Sequence, residues 1–386
     1  MIETPPLTPF EPRASDAAGV ISWVHIGDLH MTTAGQQNHL DLLGIVKEIN
    51  KAFATSLSFV FLPGDVADQG SAAQYQVVRE AIDALTVPWC CIVGDHDVHT
   101  KSFLNFEQFM SARLQYSFQV GKVRFFALNA FDLPDPGSFT VLSQQLVWLE
   151  SGLKSLAENE SAVLLLHCYP TELKQGAGEL RALIAQYPVR LVEMGHTHYN
   201  EVANDGRTLY AATRSTGQIE EGPVGFSVTN VDGPVVSWRF LPLGELPAVI
   251  ITSPADERFV TDANAAVLAV GSDVCVRAKV WSQEPVQAVH AKLGSASAKL
   301  TQIPNSAVWQ GSLCDKALPD GVYALEVRVT DNVGNEATDC IRVILGDSAY
   351  NAPERRERDL ENAFEAWPEH GLLATQLGPN KNGRKW

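Results

Sequence analysis

This chain has no CxxC pair. Its six cysteines stand apart at positions 90, 91, 168, 275, 314 and 340, and the one adjacent pair, Cys90 and Cys91, lies inside the apolar run "VPWCCIV". Neighbouring side chains of a strand point to opposite faces, so that pair is a poor disulfide and a poor metal clip. A thiolate zinc knuckle and a disulfide framework are thereby excluded, and the thiols read as small buried hydrophobes or inert groups. Positive charge is also scarce: 29 Lys and Arg stand against 45 Asp and Glu, a formal net charge of -16. That balance excludes the broad basic footprint of a nucleic-acid binder. No apolar run approaches the roughly 18 residues of a spanning helix, and the opening "MIETPPLTPFEPRASDAAG" has neither a basic nor an apolar leader region. The expectation is a cytoplasmic protein with no membrane and no nucleic-acid partner; a homo-oligomer is left open.

What is present is globular: 45% hydrophobic and 19% charged over 386 residues, enough for two cores. From 21 to 247, after a tail at 1–20, continuous apolar runs alternate with segments of helical period. "VISWVHIG" precedes "LDLLGIVKEINKAF", "SFVFLPGD" precedes "AAQYQVVREAIDAL", and "SAVLLLHCYP" follows a helix opened by Ser143. Such strands with helical crossovers predict an α/β domain whose sheet is covered on both faces. From 248 to 347 short alternating strands separated by Gly, Asn, Asp and Pro turns predict an all-β unit that looks like a small immunoglobulin-like sandwich. In the tail, 348–386, Asn351 and Glu354 suggest a capping box and Leu360, Ala363, Phe364 and Trp367 an apolar stripe, hence a docking helix; Leu372, Leu373, Leu377 and Trp386 suggest that part of the remainder packs.

The C-terminal ends of the predicted strands carry the chemistry. They read Asp28 and His30 after "WVHIG", Asp65 after "FVFLPG", Asp95, His96 and Asp97 after "CCIVG", His167 after "AVLLL", and His196 and His198 after "LVEMG". In open α/β sheets loops converge at that edge. Five of the ten histidines belong to this set, and Gly27, Gly64, Gly94 and Gly195 stand just before four of the ends, where the chain must turn sharply. Taken singly, each motif is ordinary turn chemistry; taken together in this order, they describe a pair of divalent ions. Oxygen and imidazole donors without thiolate suit Mn, Fe, Zn or Co. A shared carboxylate such as Asp65 can bridge ions about 3.5–4 Å apart, a pair that clamps the oxygens of a phosphoryl transfer.

The motifs "GDLH", "PGDVAD", "GDHD", "LLLHCYP" and "GHTH" resemble, in order, those of the calcineurin-like binuclear metallophosphoesterases over about residues 22–240. The resemblance implies a four-layer αββα sandwich followed here by the immunoglobulin-like unit. It implies that Asp28, His30 and His198 hold one ion, that Asp95, His167 and His196 hold another, and that Asp65 bridges. His96 would lie near the phosphate as donor and general acid, and Asp97 would orient it. The stretch "AATRSTGQIEEGPVGFSVTNVDG" is most similar to the bacterial cyclic-nucleotide and glycerophosphodiester phosphodiesterases, and its Arg214 is a candidate for a phosphate oxygen.

One departure stands out: where the family has Asn, this chain has Asp95. The extra charge tightens the second ion, lowers its Lewis acidity and leaves two divalent ions with a net charge of only about +1 beside three carboxylates. The function implied is hydrolysis of a small phosphodiester by in-line attack of a metal-bound hydroxide. The alternatives are a phosphomonoesterase and a metal-binding scaffold without turnover, its sandwich serving interaction.

Overall fold

The computed structural model describes residues 10–133, 138–261, 267–346, 353 and 359–373. The first half alternates β1 (Ile21–His25), α1 (Gln37–Glu48), β2 (Phe59–Leu62), α2 (Ala72–Ile82), β3 (Trp89–Cys91), α3 (Leu104–Phe109), β4 (Tyr116–Val120), β5 (Val123–Ala127) and α4 (Ser143–Lys154). It continues through β6 (Ser161–Leu165), α5 (Ala177–Gln186), β7 (Val189–Met194), β8 (Glu201–Asn204), β9 (Leu209–Ala212), β10 (Gly225–Asp232) and β11 (Val235–Pro242). Two sheets result, ordered β11-β10-β1-β2-β3 and β4-β5-β6-β7-β9-β8. Within them β1, β2 and β3 run parallel, as do β5, β6, β7 and β9.

Period-2 alternation sorts the strand residues into layers. Trp23, Phe59, Phe61, Phe125 and Leu165 fill the core between the two sheets, where Trp23 stacks on Phe59 with ring centroids 5.7 Å apart and meets Phe125 edge-on at 5.2 Å. Val24, Val60, Leu62, Phe126 and Leu164 face the other way, into the layers where Leu42, Ile45, Tyr75, Val78, Leu149 and Leu180 of the helices pack. Strands apolar on both faces are what a buried parallel sheet requires, and the four-layer αββα arrangement is the outcome.

One local expectation changes: the helix starting at α1 widens into a π-helical turn over Ile49–Phe53. α4 opens at Ser143, as the sequence suggested, with no side-chain cap from Leu142. By contrast Ser71 and Gln74 form a full capping box on α2.

The second half contains β12 (Ala248–Ser253), β13 (Val267–Leu268), β14 (Val274–Trp281), β15 (Val286–Leu293), β16 (Ala296–Lys299), β17 (Thr301–Gln302), β18 (Val308–Leu313), β19 (Gly321–Asp331) and β20 (Glu336–Leu345). They form two mostly antiparallel sheets, β12-β14-β18-β17 and β13-β20-β19-β15-β16, around one core containing Val276, Leu293, Val327 and Ile341. β12 faces both ways: Val249 and Ile251 enter this core, while Ala248 and Ile250 join the first half's. Lys279 of β14 is fully buried and bonds to Ser22 Oγ at 2.7 Å, the Ser56 carbonyl at 2.9 Å and Asp16 at 3.1 Å. Those partners stand at the N-terminal ends of β1 and β2, the edge away from the candidate ligands.

The tail departs from expectation. Residues 359–373 form no α-helix: a 3-10 turn at Asp359–Asn362 leads to an extended stretch in which Ala363 bridges Ala203 of β8 and the Phe364 amide donates to the Val202 carbonyl. An unpaired strand edge offers this segment backbone partners that a helix would forgo. Trp367 and Leu372 are buried between the sheets' neighbours, whereas Leu373 is 37% exposed; Asn351, Glu354, Leu377 and Trp386 lie outside the described residues. Cys90, Cys91 and Cys168 are buried as expected, but Cys275 and Cys340 are exposed because each faces outward on a sandwich strand.

Lys279→Ala leaves Asp16 buried without its partner. It is expected to lower unfolding free energy by about 3 kcal/mol in chemical denaturation; an unchanged midpoint would show that the strut contributes nothing.

Candidate metal centre

The strand ends converge across both sheets. β1, β2 and β3 deliver Asp28, His30, Asp65 and Asp95 from one sheet; β6 and β7 deliver His167, His196 and His198 from the other. Two groups form: Asp28, His30, Asp65 and His198, and Asp65, Asp95, His167 and His196, each with ligand atoms within 4.8 Å of one another and with Asp65 common to both. His30 Nε2 and His198 Nε2 are 2.9 Å apart. His167 Nε2 lies 3.1 Å from Asp95 Oδ1 and 3.5 Å from Asp65 Oδ1, and His196 Nδ1 is 3.2 Å from the same Asp95 oxygen. His167 Nδ1 faces the Pro63 carbonyl at 2.8 Å, an atom that only accepts. A proton therefore sits on Nδ1, which leaves Nε2 to face the carboxylates.

Cations fit this donor set. Buried Asp28 Oδ1 has no hydrogen-bond partner, and three carboxylates meet four imidazoles with no thiolate, a set suited to divalent transition ions. The backbone is bent to achieve it: His30, Asp65, His196 and His198 have φ of 40°, 48°, 67° and 64°, four of the six non-glycine residues in the left-handed region among those described. Such strain costs of order 1–3 kcal/mol per residue and collects at functional sites. At Gly94 a Cβ would stand 2.1 Å from the Asp65 nitrogen and 2.2 Å from its Oδ1, so only glycine lets β3 approach the shared ligand.

The profile of the calcineurin-like phosphoesterases matches residues 22–200. Those residues form a calcineurin-like phosphoesterase domain. The phosphoesterase domain is metal-dependent in kind, and its Asp and His groups are those just described. A probable cyclic nucleotide phosphodiesterase of Synechococcus sp. is 28% identical over 48% of this chain and 75% of its own length. The 3',5'-cyclic adenosine monophosphate phosphodiesterase CpdA of Escherichia coli is 24% identical over 57% of this chain and 84% of its own. A probable glycerophosphodiester phosphodiesterase of Arcobacter nitrofigilis is 22% identical over 45% and 71%.

Electrostatics within the phosphoesterase domain follow from burial and crowding. Burial, and then the Asp95 and Asp28 charges, push the Asp65 carboxyl well above its ordinary range. Burial, reinforced by His198 and His96, pulls His30 down to about 2, and burial pulls His198 to about 4 against the attraction of Asp28. Both rings are thus neutral at physiological pH and present lone pairs. Burial works against ionisation of His167 and Asp95 too, but their mutual hydrogen bond prevails: His167 rises to about 9, and Asp95, which also bonds His196, is held below the usual carboxylate range.

Two residues assigned from sequence do other work. Asp97 does not orient His96. Its buried carboxylate accepts from the amides of Val66, Ala67 and Gly94 at 3.3, 3.0 and 3.0 Å and from the Tyr75 hydroxyl at 2.9 Å, so it ties the β2 and β3 loops together. His96 is instead oriented by Asp68, whose carbonyl accepts from its Nδ1 at 2.8 Å. Arg214 does not face the centre: its guanidinium bonds to the carbonyls of Glu221, Pro223 and Gly371 and lies 4.1 Å over the Phe240 ring. Its burial explains this, since a guanidinium out of water must find acceptors close by.

Sequence reasoning also missed Asp68, although it stands in "PGDVAD", and Glu193. The latter is fully buried, 2.6 Å from His25 Nδ1, and accepts from Trp23 Nε1 at 3.2 Å and Thr229 Oγ1 at 2.6 Å. An acid within an apolar strand was the available signal.

Gly94→Ala is expected to fold yet lose most divalent-cation binding, because the methyl displaces Asp65. Calorimetric titration with Mn2+ or Zn2+ against the wild type tests this, and wild-type affinity in the variant would refute the close approach.

Proposed function

We propose that this chain hydrolyses small phosphodiesters. The observation that carries the reading is the pair of four-residue groups sharing Asp65, with His96 on the same edge. The names of the relatives, cyclic nucleotide and glycerophosphodiester phosphodiesterases, support it. We assign Asp28, His30, Asp65 and His198 to one cation and Asp65, Asp95, His167 and His196 to the other. Two divalent ions there would supply Lewis acidity toward the phosphoryl oxygens and an activated water.

The chain's own residues do the rest. Asp65 fixes the His96 backbone, its Oδ1 accepting from that amide at 2.9 Å. The Asp68 carbonyl holds the Nδ1 proton of His96, so a proton carried on Nε2, 4.0 Å from Asp95 Oδ2, is the one that can pass to the leaving alkoxide. Phe139, edge-on to His196 with ring centroids 4.8 Å apart, walls one side of the second group. A phosphodiester carries one negative charge, a monoester two. With Arg214 committed elsewhere, its guanidinium adds no cation for the second charge, which favours the diester. The surplus of acid over base, -16 overall, disfavours nucleic acid as the polymer substrate.

After chelation and return of Mn, Zn, Fe or Co, bis(p-nitrophenyl) phosphate is expected to be cleaved faster than p-nitrophenyl phosphate. A monoester preference would overturn the substrate class, and no turnover by protein that still binds two ions would establish the scaffold. His96→Ala is expected to lower kcat by about 10²–10⁴-fold on a diester with a poor leaving group, and much less on a nitrophenolate ester, which needs no acid; equal losses on both would remove the acid role.

A further inference from the structure

The outward side of Asp95 meets a histidine that neither cation group uses. Asp95, His96 and His99 each offer a ligand atom, and those atoms lie within 4.8 Å of one another. They belong to one turn of chain, the 3-10 segment His96–Val98 and its flanking residues, and the two imidazoles stand 4.4 Å apart at a tilt of 38°. Asp95 divides its oxygens: Oδ1 faces His167 and His196, while Oδ2 lies 4.0 Å from His96 Nε2. Because the Nδ1 proton of His96 is spent on the Asp68 carbonyl, Nε2 of the neutral ring is an acceptor, and so is Oδ2. The Nε2 lone pair and Oδ2 thus border the same space, where a cation can take both as ligands.

The identity of residue 95 decides whether this is possible. A carboxylate offers an acceptor oxygen to each side; an amide would give one side an NH2 group, which cannot ligate a cation. The turn is open to solvent as well: His99 is exposed and Asp95 and His96 are partly so, in contrast with the buried Asp28, His30, Asp65, His167 and His198 behind them.

We propose that Asp95, His96 and His99 form a third cation site at the mouth of the centre, weaker than the buried pair, and that its occupation inhibits the enzyme. Two imidazoles and one carboxylate, completed by water, suit zinc over magnesium or calcium. An ion on His96 Nε2 takes the lone pair that otherwise carries the proton for the leaving group, so excess zinc defeats the acid step. The inhibitory half rests on the phosphodiesterase reading; the binding half does not.

His99 is the member of the trio with no place in the buried groups or in the acid step, so its variants isolate the site. The full chain is dialysed against buffered free zinc and its bound zinc counted by mass spectrometry. The expected result is a third equivalent in the wild type that is absent in His99→Ala and in His99→Gln, both of which retain the first two. Losing even an outer partner of a metal costs about 10–100-fold in affinity, so half-inhibitory free zinc for bis(p-nitrophenyl) phosphate cleavage should rise at least about tenfold in His99→Ala. Two equivalents in all three proteins, or a third retained without His99, overturns the site. A third equivalent lost with His99 but unchanged inhibition overturns the inhibitory role. If no phosphoester is turned over, the zinc count still decides the site, so the two readings fail separately.

Discussion

The centre depends on the register of two sheets that share no strand. Asp28 ends a strand of one and His196 a strand of the other, yet the Asp28 carboxylate accepts the His196 amide proton at 2.8 Å. Only the packing between the sheets brings those atoms within reach. Aromatic rings are prominent in it, Trp23, Phe59 and Phe125 among them, and the buried pair His25–Glu193 adds a polar tie a few residues behind the candidate ligands of each sheet. Close-packed interiors transmit small displacements, so the spacing of the ligands is a property of the whole inner core.

A second constraint is electrostatic. Asp28, Asp65 and Asp95 crowd together in a region where His30 and His198 are held neutral by burial, and Asp65 resists ionisation for the same reason. Left-handed backbone at four of the ligands adds to the cost. An apolar or fully paired arrangement would favour folding more; this one makes sense as a receptor for positive charge.

The sandwich and tail act on the domain from two directions. Lys279 pins the sandwich to the edge away from the ligands, while the extended strap returns to the ligand side. There the Gly371 carbonyl accepts from Asn200 Nδ2 at 2.9 Å and Arg214 Nη2 at 2.7 Å, and Asn200 Oδ1 accepts the Arg214 amide at 2.8 Å. Ser215, next in the chain, donates from its hydroxyl to the Asp28 carbonyl at 2.8 Å. His370 closes the path to the sandwich through Asp339 at 2.7 Å. Arg214 thus serves the architecture of the loop beside the centre.

Local sequence determined the strands, most helices and the candidate ligands, because each is written in short-range terms: period-2 and period-3.6 apolar patterns and the Gly-polar pairs that end the strands. Asp28, His30, Asp65, Asp95, His167, His196 and His198, which the fold gathers into two groups, were all legible in that way. Tertiary structure decided which charged side chains stay near the centre and which are drawn off. Asp97 finds amides 30 and 31 residues away, Arg214 finds a carbonyl 157 residues on, and the tail finds the open edge of β8 and so forgoes the helix its apolar stripe suggested. Partners so distant leave no periodic trace in the chain, and a buried charge takes whichever of them the completed fold sets beside it.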